Sequence, residues 1–242
     1  MQKKLVVLTG AGISAESGLR TFREMGGLWE EYDVTEVASP QGWEKNMDLV
    51  LQFYNERRRQ LVNAVPNEGH SGLARLEKNF DVHIITQNVD DLHERAGSTK
   101  VLHLHGELNK AQSTVHKELI YDIAGKDLNP GDLCERGCQL RPYIVWFGEP
   151  VPAIEEAIDI CGTADYMAII GTSMNVYPAA GLIDYIPHGT KIFIVDPNDI
   201  PVHYSKKVVH IKEKASRGVQ LLAEYLHNEK GSKPPPMSPH SP

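Results

Sequence analysis

Seven short apolar runs, at residues 5–8, 82–86, 101–104, 143–147, 166–170, 191–195 and 207–211, each stop abruptly at a polar or glycine-containing cluster. A strand that alternates in polarity has one wet face, whereas a strand that is apolar throughout is buried on both faces. Such strands belong to a parallel sheet covered by helices. Ligands in open parallel sheets bind beyond the carboxyl ends of the strands, so the terminal clusters are expected to converge on one crevice. Those clusters include Gly10-Ala11-Gly12, Gln87-Asn88-Val89-Asp90, His105-Gly106-Glu107, Gly148-Glu149, Gly171-Thr172-Ser173 and Asp196-Pro197-Asn198.

The first run ends in Gly10-Ala11-Gly12-Ile13-Ser14-Ala15, a G-x-G-x-x-A turn of the kind that lets a backbone approach a pyrophosphate. A tight turn without a ligand is the competing reading of this loop taken alone. A dinucleotide dehydrogenase would place a second strand and a ribose-binding acid about 20 positions further on. That distance falls in Gly27-Leu28-Trp29-Glu30-Glu31, where no strand pattern precedes the acids, and the dehydrogenase reading loses ground.

Between the runs, residues 41–64 carry Trp43, Met47, Val50, Leu51, Tyr54 and Leu61 at helical spacing and predict an amphipathic helix. Tyr54 and Arg57 lie three positions apart on one face, where they could close together on one ligand group. The plain alternative makes Tyr54 core and Arg57-Arg58-Arg59 a solvated face. Pro66-Asn67-Glu68-Gly69-His70 interrupts the pattern, and a short helix resumes over 71–79. Residues 110–141 are polar and turn-rich and read as a loop module inserted between sheet elements. Residues 215–226 read as a closing helix, and the proline- and serine-rich stretch 229–242 as a disordered tail. The expected fold is α/β, a Rossmann-like parallel sheet with helices on both faces plus a small inserted helical and loop module. One catalytic domain spans 1–228, its core near 1–24, 80–109 and 142–228 and its small module near 25–79 and 110–141.

Composition removes several function classes. No run approaches the roughly 18 apolar residues a membrane span needs. Met1-Gln2-Lys3-Lys4 leads straight into a strand rather than a secretory segment, so a cytoplasmic location is expected. Three cysteines, Cys134, Cys138 and Cys161, do not make a secreted disulfide framework. A net charge of −7 argues against nucleic-acid binding and is compatible with basic protein segments as partners.

Six motifs in order, Gly10-Ala11-Gly12-Ile13-Ser14, Gln87-Asn88-Val89-Asp90, His105-Gly106-Glu107, Val145-Trp146-Phe147-Gly148-Glu149, Gly171-Thr172-Ser173 and Tyr177-Pro178, closely resemble those of the sirtuins. These are NAD-dependent protein deacylases, and the resemblance covers about residues 4–226. It implies NAD as co-substrate, with Gly10, Ala11, Gly12, Ile13, Ser14 and Glu16 at its phosphates. Phe22 and Arg23 belong to a mobile loop over the nicotinamide ribose, with Trp29 also on the cofactor side, and Thr21 stands where many members have an acid. Gln87, Asn88 and Asp90 hold the nicotinamide and its ribose; Gly171, Thr172, Ser173, Val195, Asp196, Pro197 and Ala215 line the adenosine side.

The same resemblance makes His105 the base, with Asn88 and Asp90 orienting ribose and water. The acyl oxygen of a modified lysine displaces nicotinamide, His105 deprotonates a ribose hydroxyl that attacks the resulting imidate, and water completes transfer to O-acyl-ADP-ribose and free lysine. An imidazole suits that step because its unperturbed pKa is near neutral. Val145, Phe147 and Gly148 are expected on an extended edge to which the substrate backbone adds. In one sirtuin class a Tyr-x-x-Arg pair binds an acyl chain ending in a carboxylate, so Tyr54 and Arg57 imply removal of succinyl and malonyl as well as acetyl groups. The expected partners are acylated proteins, with neither nucleic acid nor membrane, and the expected state is a monomer. Sirtuins commonly hold a structural zinc by two cysteine pairs. Here residues 110–116 contain no cysteine, His116 would bring the ligands only to three, and no metal is expected. A noncatalytic NAD or ADP-ribose sensor remains the alternative from another class, although it has no reason to keep His105 beside a substrate edge.

Overall fold

The computed structural model describes residues 2–20, 33–123, 125–200 and 208–230. Six of the seven apolar runs form one parallel sheet: β1 (Lys4–Thr9), β2 (Asp81–Thr86), β3 (Val101–His103), β7 (Tyr166–Ile170), β8 (Lys191–Val195) and β9 (Val208–Ile211). Their spatial order is β3-β2-β1-β7-β8-β9. The chain therefore builds outward from β1 in one direction and later from β7 in the other, which puts the reversal of strand order between β1 and β7. That reversal is where an open sheet leaves a crevice at its carboxyl edge.

Both faces of the sheet are covered, as continuously apolar strands demand. Leu5 and Val7 face one layer with α4 (Glu68–Leu76) and α7 (Ala215–Lys230), through Leu73, Leu76, Val219, Leu222 and Leu226. Val6 and Leu8 face the other, with α6 (Ile154–Cys161) and the 3-10 turns of Ala179–Tyr185. The predicted helix at 41–64 divides in two, α2 (Pro40–Lys45) and α3 (Met47–Asn63), because the Asn46 side chain accepts the Leu49 N–H and caps a new start. Before them lies α1 (Val34–Val37), and α5 (Leu92–Arg95) follows β2.

The seventh apolar run departs from the expectation. Residues 143–147 do not supply a parallel strand. Their first part belongs to β6 (Leu140–Ile144), which pairs antiparallel with β4 (Gly106–Ser113), and β5 (Ile120–Asp122) completes a three-stranded sheet. The segment read as a loop module thus carries a sheet of its own. Its small core gathers Leu51, Ala111, Leu128, Cys134 and Leu140, and Asn55 of α3 ties down the following turn by bonding both N–H and C=O of Leu128. Gly106 turns the chain from one sheet into the other at φ +83, where a Cβ would collide with the Tyr143 carbonyl.

Candidate functional site

The two glycine clusters meet at the switch point. Gly10 N donates to Ile170 O at 3.1 Å and Gly12 N to Gly171 O at 2.9 Å, stitching the loop after β1 to the loop after β7. Neither side has room for a side chain: a Cβ on Gly12 would stand 2.7 Å from Gly171 Cα, and Gly171 itself has φ +61. Gln87 Nε2 bonds Thr172 Oγ1 at 3.0 Å across the same edge. The Val195 carbonyl accepts from Gly171 N, and Asp196, buried just beyond β8, caps its own turn by accepting from Asn198 N.

Ser14 sits at the centre of a buried polar network. A hydroxyl has one proton to give, and Ser14 Oγ gives it to Asp90 Oδ2 at 3.0 Å, so Asn88 Nδ2 at 3.1 Å and His70 Nε2 at 3.4 Å both donate to it. The His70 tautomer follows, since its Nδ1 accepts the Asn67 N–H in the capping box that starts α4. Burial holds His70 neutral, with its pKa pushed down to about 4. His93 packs edge-on at 4.9 Å, bonds Thr9 Oγ1, and is driven well below the ordinary range by burial and then by His70. Burial raises Asp90, while bonds from Leu92 N and Ser14 work in the opposite direction.

His105 lies between the two sheets, just past the end of β3. Its Nδ1 is 3.1 Å from the Gln87 carbonyl, which can only accept. In the neutral ring Nε2 is therefore the bare nitrogen, and burial lowers the pKa, so the free lone pair persists below the usual histidine range. His103, two residues earlier, differs: burial opposes its charge, but Glu94 at 2.8 Å from Nε2 and the Asn88 carbonyl outweigh this and raise it.

One cleft of about 480 Å³ joins these parts. Its walls include Gly10, Ala11 and Gly12, then Gln87, Asn88 and His105, then Val145, Phe147 and Gly148, and also Gly171, Thr172, Ser173 and Asp196. Tyr54 and Arg57 of α3 line the same space. Tyr54 is 2% exposed, its hydroxyl accepts from Trp146 Nε1 at 3.1 Å, and burial pushes its pKa up to about 12, so it stays a neutral phenol. Burial lowers the Arg57 pKa, and Tyr54 and Asp90 counter it. Ser14 and Asp90 border a small side chamber with Asn88 and Arg57.

Other expected residues fall elsewhere. Phe22, Arg23 and Trp29 lie outside the described residues. Glu16 accepts the Ser216 N–H at 2.9 Å, tying the glycine loop to the start of α7 beside buried Ala215. Ile13 is fully buried in the sheet core, Val195 is buried behind the cleft, and Pro197 is exposed at its rim. The edge at residues 145–149 is a turn, closed by Glu149 N to Trp146 O. Val145 N and Phe147 N already bond His105 O and Ala38 O, and Trp146 N bonds Glu149 Oε2. A strand added there would meet carbonyls rather than these donors. Sequence reasoning missed His70 and Ala38; only the Asn67-x-x-His70 spacing, a capping-box interval, offered a signal.

Among the described residues no three His, Cys, Asp or Glu side chains gather as a metal cluster. The Cys134 thiol instead donates to Ser113 Oγ at 3.5 Å, and His116 Nδ1 is 3.0 Å from the Arg136 guanidinium. A cation on the histidine and a hydroxyl beside the thiol do not fit a tetrahedral zinc site. No described helix is long and apolar enough to cross a membrane.

A parallel sheet with a glycine-lined crevice at its switch point, joined to an antiparallel module through a histidine, defines a nucleotide-binding α/β class. Within that class the chain belongs to the Sir2 family, whose model matches residues 10–178. An NAD-dependent protein deacylase of Bacteroides thetaiotaomicron is 52% identical over 231 residues, covering 93% of this chain and 98% of the relative. A Sir2 homologue solved with ADP-ribose superposes with a TM-score of 0.87 at 36% identity, over 97% of this chain and 96% of that one. A Sir2 protein solved with a deacetylated p53 peptide and 3'-O-acetyl ADP-ribose gives 0.80 at 30% identity, over 93% and 94%.

Proposed function

We propose that this protein is an NAD-dependent protein-lysine deacylase that removes succinyl and malonyl groups as well as acetyl groups. The observation that carries the reading is the continuity of the cleft, which runs from the glycine crevice past His105 to Tyr54 and Arg57 without leaving one enclosure. In this reading the Gly10 and Gly171 loops receive the NAD phosphates, and Asn88, Asp90 and Ser14 orient the nicotinamide ribose. His105 Nε2 takes the proton from a ribose hydroxyl, which suits a ring held neutral by burial and fixed by the Gln87 carbonyl. At the far end a guanidinium fork and a neutral phenol suit a terminal carboxylate in a mostly apolar tunnel. Residues 1–228 act as one catalytic domain and a monomer, on acylated proteins in the cytoplasm; the sparse, unpaired cysteines agree with a reducing compartment.

The test is incubation with NAD and succinyl-, malonyl- or acetyl-lysine peptides, following nicotinamide release and peptide mass, with His105→Tyr as the control. Tyr54→Phe and Arg57→Met should cut succinyl turnover more than acetyl turnover. Deacylation surviving in His105→Tyr sinks the mechanism, and equal losses on both acyl groups sink the carboxylate role.

A further inference from the structure

Tyr54 has an unusual hydrogen-bond account. Its oxygen accepts from the Trp146 indole, a group that can donate and never accept. The phenol proton cannot be directed at Trp146, and among the described residues no acceptor receives it. The side chain is 2% exposed and borders the cleft beside Arg57, so its proton is left for a group that enters the cleft. An unpaired buried donor is costly, and a ligand oxygen that accepts removes the cost, whereas a methyl group does not.

Trp146 is itself held from three sides. Its backbone N–H bonds Glu149 Oε2 at 2.9 Å. Arg141 grips the same Glu149 with two nitrogens, at 2.7 and 2.9 Å, and its guanidinium carbon lies 3.4 Å from the centroid of the Trp146 ring. Trp43 packs on the indole at 5.7 Å. A bidentate ion pair with a stacked ring is a stiff support, since the guanidinium fork is geometrically specific and its face attracts the π-system.

We propose that Trp146, braced by Arg141 and Glu149, is a positioning residue for acyl-chain selectivity: its indole N–H takes the acceptor side of the Tyr54 hydroxyl, leaving that hydroxyl's proton for an acyl group that ends in an oxygen acceptor. The inference rests on the reading of Tyr54 and Arg57 as the acyl-carboxylate pair and adds what gives the phenol its polarity. It places one determinant of selectivity in the 140–149 segment, far in sequence from α3.

The measurement is the ratio of kcat/KM for succinyl-lysine to that for acetyl-lysine peptide, in wild type, Trp146→Phe, Tyr54→Phe and the double variant. Loss of one orienting hydrogen bond should lower the ratio about fivefold in Trp146→Phe. In the Tyr54→Phe background the same change should lower it no further. Replacement of Trp146 by benzothienylalanine, which keeps the bicyclic shape and has sulfur in place of N–H, should reproduce the drop even where Trp146→Phe folds poorly. A ratio unchanged by either replacement overturns the inference, as does an equal drop with and without the Tyr54 hydroxyl. If Tyr54→Phe and Arg57→Met also leave the ratio at its wild-type value, the carboxylate reading falls with it; if they lower it, only the role of Trp146 is lost.

Discussion

The histidine behind the glycine loop ties the integrity of the site to pH. His70 is fully buried and has its pKa lowered from 6.5 to about 4, with desolvation as the main cause and Glu94 as a weak opposing charge. In the unfolded chain the same ring titrates near 6.5. Above that pH both states are neutral and His70 contributes no pH dependence. As pH falls through 6.5 the unfolded chain takes up the proton first, so stability is lost progressively down to about pH 4. Each unit of pH in that window costs about 1.4 kcal/mol, so the loss between pH 6.5 and 5 is about 2 kcal/mol from this one residue.

His70→Gln isolates that contribution. Glutamine is a natural residue at the third position of a capping box, so its carbonyl can accept from Asn67 N while its amide N–H reaches toward Ser14. His93, Asp90 and Glu94 remain in both proteins. Urea unfolding followed by far-UV circular dichroism at pH 7.5 and 5.0 gives the loss for each. The wild type should lose about 2 kcal/mol more than the variant over this interval, roughly 1 M in midpoint for a slope near 2 kcal/mol per molar urea. Equal losses in the two proteins would refute the assignment of His70 as a buried neutral ring.

Three further outcomes follow from the geometry. Because burial lowers the His105 pKa, the acidic limb of the kcat/KM profile should lie below pH 6.5, with activity falling as the ring protonates. His105→Asn should lower kcat by about 10²- to 10⁴-fold; a limb above 6.5 contradicts the neutral-base assignment. Gly12→Ala puts a methyl 2.7 Å from Gly171 Cα, backbone against backbone, so the two loops must part. NAD affinity by calorimetry should fall by about tenfold or more, the scale of a lost hydrogen bond or two, and unchanged affinity would show that the loops do not form the phosphate site. Purified protein should carry zinc far below one equivalent and keep its thermal midpoint in EDTA; stoichiometric zinc would overturn the account of Ser113, Cys134 and His116.

The central strands were legible because residues 5–8, 82–86, 166–170 and 191–195 are nearly continuous apolar runs, as strands covered on both faces must be. The same signal misled at residues 143–147, where the apolar side chains serve different masters. Ile144 and Trp146 pack with α3 and the module, while Phe147 is 49% exposed. Strand β4 does alternate in burial, but Glu107, Asn109 and Gln112 make it read as polar loop, and its partner β6 is recognisable only in space. The glycine loop, His105 and the Tyr54-Arg57 pair are local patterns and could be read in order. The Ser14 to His70 contact spans 56 residues and that of Trp146 with Tyr54 spans 92, and no local periodicity reports them.

The tie between Glu16 and Ser216 spans 200 residues, and strand β1 finds one neighbour only in β7, with Lys4 and Asp165 bonded across 161 residues. During synthesis the glycine loop therefore leaves the ribosome long before either the backbone that lines its other wall or the helix start that Glu16 caps. A nascent chain stalled ahead of residue 166 would hold β1 against β2 alone, with half a crevice. The two walls of the crevice are thus joined only once the chain through residues 166–170 and 216 has been added to residues 4–16.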